Sequence, residues 1–477
     1  MKSIKKNYMY NLLYQILITV APLVTTPYVS RVLGAEPIGE YSFSYSIVYY
    51  FMLVAVLGTS TYAEREMSFY QDDRGKRSLR FWDLTALRVI TTFISMVCYA
   101  VIVRYLFTDY TMFCIISLNL MAVALDTVWL FQGLEEFGQI TLRDTIVKVA
   151  TIIMILLFVN SPRDLYVYVL IMSLSPVISA VALIPFVHRY IDKPSLKNLH
   201  PFKDFKSILG LFIPTVAISV YAMLDKTMIG IFTITKAENG YYEQAMKLSK
   251  TALTIVTSLG TVMIPRISYY AGKKQTKKIE EYMLKSYQFV WMLGIPICFG
   301  LIGISNNLVP WFYGTGFEKV KELLCILSFL VIAIGLSNVT GLQYLVPTKQ
   351  QNKLTHSVLM GAAVNVILNA VLIPRFYAFG AAVASVFAEF TVTIVQFAQI
   401  RKQMNIRKIL FPFFRYAAAG AAMLVLLILE DKIFSPNALC TCAMIASGGG
   451  MYFLILLLYK DSLVYSALAS VKEKFAK

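Results

Sequence analysis

Charge is scarce in this chain of 477 residues: 15% are Asp, Glu, Lys or Arg, whereas 58% are hydrophobic. Soluble globular proteins carry about 25% charged and roughly 45–50% apolar residues. The connections between apolar runs are short, and none is long enough to bury a core, so no soluble domain is expected. Histidine is rarer still. His188, His200 and His356 are the only three, all at or near the ends of apolar runs. That argues against an acyltransferase or ligase built on a reactive imidazole within the membrane. The six cysteines, Cys98, Cys114, Cys298, Cys325, Cys440 and Cys442, all fall inside apolar runs. They read as small apolar side chains rather than a disulfide framework. No G-x-x-x-x-G-K-[ST] occurs, and "GTGFEK" (314–319) lacks its spacing, so nucleotide hydrolysis has no motif. A prenyltransferase wants two Asp-rich diphosphate–magnesium motifs. Only "QDDRGKR" (71–77) offers one, and it reads as a solvated linker. No catalytic residue, metal site or cofactor is expected.

Long apolar runs are what the chain does have. About 14 are long enough to cross a bilayer, near 9–31, 41–62, 83–107, 111–133, 141–160, 164–188, 207–233, 241–267, 284–305, 321–345, 355–374, 377–400, 413–430 and 438–459. They are continuous rather than alternating, which excludes a membrane β-barrel. The expectation is an all-α polytopic membrane protein. The basic N-terminus precedes a run too long for a signal-peptide core, so it reads as an uncleaved first span. Lysine and arginine collect in alternate connections, such as Arg74, Lys76, Arg77 and Arg80, or Lys273, Lys274, Lys277 and Lys278. An even number of spans with both termini cytoplasmic sorts them that way. The formal net charge of +17 then reflects topology and anionic lipid, without nucleic acid.

Two halves repeat in the same order. "VAVLGTSTYAERE" (54–66) resembles "VTSLGTVMIPRIS" (256–268), and "GEYSFSYS" (39–46) matches "GYYEQAMK" (240–247) in opening a span with Gly then Tyr. Six spans separate the members of each pair, so the repeat is parallel, with a substrate site expected between the halves. The expected organisation is a first six-helix lobe over 1–206 with a basic linker, a second over 207–408, and two more helices with a tail over 409–477.

Polar residues at helical spacing mark inward faces. On the seventh span Thr215, Ser219, Ala222 and Lys226 share one stripe; on the eighth, Glu243, Lys247, Lys250, Thr254, Thr257 and Thr261. Asp225 and Lys226 are adjacent in sequence, so they point about 100° apart and each needs its own partner or water. Lys226 is read as lining a cavity and Asp225 as held by a neighbouring helix, against a local Asp225–Lys226 network with a snorkelling lysine. The first half offers Asn11, Gln15 and Thr19, then Arg31, which serves equally as an interfacial anchor. It also offers Arg88, Thr92, Ser95 and Tyr99, and Asn119, Asp126, Trp129 and Gly133. Arg88 and Asp126 can pair across helices. Asn365 and Asn369 are expected to bond a neighbouring helix. Glu389, on a stripe from Ala378 to Gln396, is a candidate ion-coupling or structural carboxylate, as are Asp126 and Asp225. Pro22, Pro27, Pro214, Pro265 and Pro296 are expected to interrupt their spans.

Five segments carry a family resemblance: 22–51, "DTVWLFQGLEEF" (126–137), "YAMLDKTMIG" (221–230), "GLSNVTGLQYLVP" (335–347) and 365–389. In this order they resemble the polysaccharide transporter (Wzx-type) flippases of the multidrug/oligosaccharidyl-lipid/polysaccharide exporter superfamily. The resemblance implies a V-shaped pair of lobes working by alternating access in the bacterial cytoplasmic membrane. It implies a polyprenyl-diphosphate-linked oligosaccharide as cargo, moved from inner to outer leaflet for surface polysaccharide. Membrane lipids, a polysaccharide polymerase and glycosyltransferases are the implied partners. Lys226, Lys247, Lys250, Arg31 and Arg88 are the cations expected to meet the diphosphate. A small-molecule antiporter of the same superfamily shares this fold, but would favour acidic or aromatic sites for cationic drugs. An intramembrane prenyl- or glycosyl-transfer enzyme is the remaining alternative.

Overall fold

The structure is a computed structural model that describes residues 21–193, 199–461 and 463–465, with the side chains of 211, 213–218, 220–222 and 261 also left out. Among the described residues nine helical segments are long and apolar enough to cross a membrane. They become ten if Ala237–Thr257 and Val262–Gly272, bent by 45°, form one span. The chain is an all-helical, multi-pass membrane protein. Contacts divide it into two compact units, one ending at Gly240 and the other starting at Tyr241.

The first unit runs from helix α1 (21–33) through α2 (Ala35–Val56), α3 (Thr59–Phe69), α4 (Arg74–Leu106), α5 (Tyr110–Ile116), α6 (Leu118–Leu125), α7 (Val128–Gly133), α8 (Phe137–Phe158) and α9 (Leu165–Val187) to α10 (Phe205–Phe232). Helix α10 packs on α2 and is grouped with this unit. The repeated Leu-Gly-Thr proves to be a helix break. Leu57 and Gly58 both take positive φ, 46° and 74°, so α2 stops and α3 restarts at Thr59. In the second unit Ser258-Leu259, just before Gly260, separates α11 (Ala237–Thr257) from α12 (Gly260–Gly272).

The matched Gly-Tyr pairs have a packing cause. A Cβ on Gly39 would lie 1.7 Å from the Lys236 carbonyl oxygen, and one on Gly240 would lie 2.0 Å from that of Ala35. Only glycine admits backbone this close, at both members of the repeat. Gly39→Val is therefore expected to cost about 3 kcal/mol or more by overpacking, read as a lower unfolding midpoint in detergent; an unchanged midpoint would refute this contact.

The second unit continues with α13 (Thr276–Tyr313), α14 (Lys319–Leu327), α15 (Leu330–Asn338), a π-helical turn over Val339–Leu345, and α16 (Gln351–Ile400). A straight helix of 50 residues would measure about 75 Å, more than twice a hydrocarbon core. Tyr377, at φ 52°, breaks it. The second arm folds back on the first: a Cβ on Gly361 would meet Val392, and Gln396 Nε2 donates to Ser357 Oγ at 3.2 Å. α16 is thus a helical hairpin.

After α17 (Ile406–Leu410) come α18 (Pro412–Asp431) and α19 (Ala438–Leu458). Both pack on α13; α18 does so through Gly303 against Leu427 and Gly420 against Ile295, and α19 sets Gly448 against Leu427 of α18. A buried Asp461 closes the end, accepting from Arg415 and, at 2.8 Å, from Tyr416 Oη. Pro27, Pro265 and Pro296 lie inside continuous helices, contrary to the expectation that they interrupt spans. Breaks fall at 57–58, 126–127, 258–259 and 377 among others.

Candidate functional site

Two apolar clusters fill the first unit, and a polar belt separates them. One gathers Tyr62, Met67, Phe81, Leu84, Leu87, Trp129 and Phe131; the other Phe43, Val48, Tyr99, Phe113, Leu120 and Val123. Polar residues lie between the clusters on several of these helices: Thr59 and Ser60 on α3, Arg88 and Thr92 on α4, and Asp126 where α6 breaks before α7. The break leaves backbone groups without helical partners, which apolar surroundings make costly. Asp126 supplies them. Its Oδ1 accepts from Val128 N at 3.0 Å and its carbonyl accepts from Trp129 Nε1 at 2.9 Å.

Arg88 joins the pieces. Only 1% of this residue is exposed. Its Nη1 donates to Asp126 O at 3.0 Å and Oδ2 at 3.1 Å, its Nε to Thr59 Oγ1 at 3.1 Å, and its Nη2 to Ser60 Oγ. A planar guanidinium suits this role because its donors are fixed in a fork. The remaining polar residues on this part of α4 also turn inward. Thr91 Oγ1 donates to Ala55 O at 2.7 Å, Ser95 Oγ to Phe51 O at 2.7 Å, and Tyr99 Oη to Phe113 O at 2.7 Å. Arg88, Ser95 and Tyr99 of the first-half stripe thus bond neighbouring segments, while Thr92 Oγ1 is buried without a partner.

Beside the belt is a cavity of about 350 Å³, lined in part by Ser60, Arg88, Asn119, Asp126, Arg143 and Asp144. Arg143 pairs with Asp144 at 2.7 Å and donates from Nη1 to Ser179 O at 2.6 Å, while its buried Nε has no partner. Such a space is large enough for several waters and sets these polar groups among apolar walls that include Met52, Val56 and Val123. Sequence reading missed Arg143, because an arginine near a predicted span boundary looks like an interfacial anchor. It missed Thr59 and Ser60 as well, since a hydroxyl becomes a ligand to arginine only through tertiary contact.

On α10, Asp225 is buried and Lys226 is partly exposed. Asp225 lies near enough to α2 for its charge to act on Tyr50. Alongside it Thr227 Oγ1 donates to Ser46 Oγ at 2.9 Å and shares a hydrogen bond of 2.9 Å with Tyr50 Oη. The Lys226 carbonyl accepts from Asn239 Nδ2 at 2.7 Å. Thr215, Tyr221, Ala222 and Thr261 lie outside the described side chains, and Asn11, Gln15 and Thr19 outside the described residues.

Helix α11 divides cleanly. Tyr242, Ala245, Met246, Ser249 and Val256 are buried, whereas Glu243, Lys247 and Thr257 are half-buried and Lys250 and Thr254 exposed. The cationic stripe thus faces away from the core of its own unit. Arg31 is exposed at the end of α1. The second arm of α16 shows the opposite: Ala378, Ala382, Ser385, Thr393 and Gln396 are buried, with Glu389 half-buried. Thr393 Oγ1 donates to Ala333 O at 2.9 Å, and Ser385 Oγ lies 2.9 Å from Tyr242 Oη. Asn369 Nδ2 donates to Asn365 Oδ1 at 2.9 Å, both fully buried on one helix. Among the described residues no group of three His, Cys, Asp or Glu is placed to hold a metal ion.

The chain is similar to a protein named "Putative O-antigen transporter" from Escherichia coli (strain K12), 23% identical over 84% of this chain and 97% of the relative. It is also similar to the "Probable low-salt glycan biosynthesis flippase Agl15" of Haloferax volcanii, 22% identical over 70% of this chain and 69% of the relative. Among solved structures, "Lipid II flippase MurJ, inward closed conformation" shares the fold with a TM-score of 0.76, at 15% identity over 96% of this chain and all of the other. An inward-facing multidrug resistance MATE family transporter gives a TM-score of 0.64, at 12% identity over 84% of this chain and 98% of the other. A family described as "Polysaccharide biosynthesis protein" matches residues 4–271. With more than half its length matched, this multi-pass helical chain belongs to the polysaccharide biosynthesis protein family.

Proposed function

We propose that the protein is a flippase that moves a polyprenyl-diphosphate-linked oligosaccharide from the inner to the outer leaflet by alternating access. The observation that carries this is the separation of its intramembrane cations into two kinds. Arg88 is enclosed and hydrogen-bonded on every side group it meets, whereas Lys226, Lys247 and Lys250 stay partly or fully exposed on helices of apolar segments. A cation left accessible inside a membrane is costly and marks a pathway. A diphosphate is an anion that such lysines can hold by charge-assisted hydrogen bonds in place of water.

In this reading Lys226, Lys247, Lys250 and Arg31 meet the diphosphate and its sugars, and Arg88 with Asp126 holds the first unit in shape. Asp225 fixes α10, and Glu389 is the carboxylate available for ion coupling. The protein crosses a bacterial cytoplasmic membrane 14 times with both termini cytoplasmic, feeding a polysaccharide polymerase with the product of cytoplasmic glycosyltransferases. It performs no bond-making step itself. The names of the O-antigen and glycan relatives support this reading. The MATE-like fold favours a drug antiporter only as architecture, since exposed lysines repel cationic compounds.

Depletion in the host tests it. Lipid-linked oligosaccharide is expected to accumulate in the inner leaflet and to clear when the wild-type chain is restored. An unchanged leaflet distribution, with new sensitivity to small cationic compounds, would favour the antiporter.

A further inference from the structure

Away from the helices discussed above, one end of the second unit carries an open polar cleft. Three connections meet there: α12 to α13, the π-helical turn to α16, and α16 to α17. The cleft holds about 760 Å³, lined by Lys274, Tyr344, Thr348, Lys349, Gln350 and Gln403 among others. A neighbouring depression of about 590 Å³ shares Gln403 and Met404 and adds Arg401, Lys402 and Arg407. Together the two are bordered by five cations, with Glu280 the one carboxylate.

The floor is a connected amide network. Tyr344 Oη donates to Gln403 Oε1 at 2.8 Å, and Gln403 Nε2 donates to Gln350 Oε1 at 3.1 Å. Gln350 Nε2 donates to Thr348 Oγ1 at 2.8 Å, and Lys353 Nζ donates to Gln350 Oε1 at 2.6 Å. Tyr344 is buried beneath it.

Both rim lysines sit where the backbone asks for glycine. Lys274 and Lys349 take φ 55° and 59°. Each closes a Schellman turn, with Gln275 N on Tyr270 O and Lys274 N on Ala271 O, then Gln350 N on Leu345 O and Lys349 N on Val346 O. Glycine is the usual residue at that position. The first unit repeats the second of these turns with Glu135 at φ 57° and puts Glu136, bonded by Tyr190 Oη at 2.6 Å, in the place of Gln350. There Arg77 also ties the corner to the Tyr190 carbonyl at 2.8 Å. The same turn is thus acidic and cross-linked in one unit, basic and open in the other.

We propose that this cleft binds the headgroup of a glycosyl phosphate, its lysines on the phosphates and its amide network on the sugar. Phosphate demands cations and charge-assisted donors, and sugar hydroxyls demand donors and acceptors in pairs, which Gln350 and Gln403 provide. The proposal rests on the flippase reading for its lipid-borne ligand, giving the cargo a docking point at the membrane surface before translocation.

The test uses the full chain in phosphatidylcholine nanodiscs. The probes are a water-soluble short-prenyl diphosphate linked to N-acetylhexosamine, inorganic diphosphate, and phosphatidylglycerol as competitor. Lys274→Gly with Lys349→Gly is the informative variant, because glycine suits both turns and keeps the fold. Affinity for the glycosyl probe is expected to fall about tenfold or more in that variant, while the thermal midpoint holds or rises. Gln403→Ala is expected to weaken the glycosyl probe and leave inorganic diphosphate unchanged. Equal affinity in wild type and double-glycine variant would overturn the proposal. So would a glycosyl probe bound no better than inorganic diphosphate, or one displaced equally well by phosphatidylglycerol. Binding lost in the variant together with no leaflet effect on depletion would sink the flippase reading and leave the cleft standing.

Discussion

Arg88→Ala is expected to lower the stability of the protein by about 3 kcal/mol, the low end of the cost of breaking a buried pair by removing one partner, because the Asp126 side chain left behind is one-third exposed. The substitution strands Asp126 against the end of α6 and strips Thr59 and Ser60 of their donor. Asp126→Asn removes the other charge and is expected to cost a similar amount, since Arg88 then has no counter-ion. Combining Asp126→Asn with Arg88→Met leaves no buried charge and should recover part of the loss, a coupling that a double-mutant cycle measures. Denaturation in detergent micelles supplies the numbers. A loss below about 1 kcal/mol for Arg88→Ala would mean that water reaches the belt and that Arg88 is available to a ligand after all.

Lys226→Ala with Lys250→Ala is the counterpart, with function lost and fold kept. Lys226 is half-buried and Lys250 exposed, so both truncations remove charge that lies at least partly at the surface of its unit. Transport is expected to fall by more than tenfold if each lysine contributes roughly 1.5–3 kcal/mol of charge-assisted bonding to the diphosphate, with the unfolding midpoint close to wild type. Lys319→Ala with Lys321→Ala, near the start of α14, removes the same charge elsewhere and should leave transport intact. Comparable losses in both pairs would show that overall charge, rather than these two lysines, sets the rate.

Arg88 and Asp126 show how far the sequence could be read. Their pairing was legible because each sits on a polar stripe at the same depth. The direction of the α4 stripe was not. Periodicity groups Arg88, Thr92, Ser95 and Tyr99 on one face, but it takes the carbonyls of Phe51 and Phe113, accepting from Ser95 and Tyr99, to make that face an interior one. The cationic stripe on α11 has the same spacing and faces the other way. Period alone does not separate the two cases.

The helix breaks teach a similar lesson. Prolines were the expected interruptions, yet Pro265 and Pro296 ride inside helices, where the surrounding helices tolerate a missing donor. The break at Leu57-Gly58 depends on a left-handed backbone, which the repeated Leu-Gly-Thr signalled only as a match between halves. Gly39 and Gly240 were likewise noticed as a repeat; their close backbone contacts supply the reason. Tyr377 opens the second of two expected spans, 355–374 and 377–400, and its positive φ is how the chain reverses there. In the sequence Lys274 stands only as one positive charge in a basic connection, and Lys349 stands 75 residues away in another. What the sequence conceals is that both line one cleft.

Transport in a purified system tests the central claim most directly. The full chain would be reconstituted in liposomes loaded symmetrically with a polyprenyl-diphosphate-linked oligosaccharide, and an added glycosidase would digest whatever glycan reaches the outer surface. With the wild-type chain, the inner-leaflet pool is expected to become digestible over time, and with the Lys226→Ala/Lys250→Ala chain it is expected to stay protected. An inner pool equally protected in wild-type and protein-free liposomes would contradict the account.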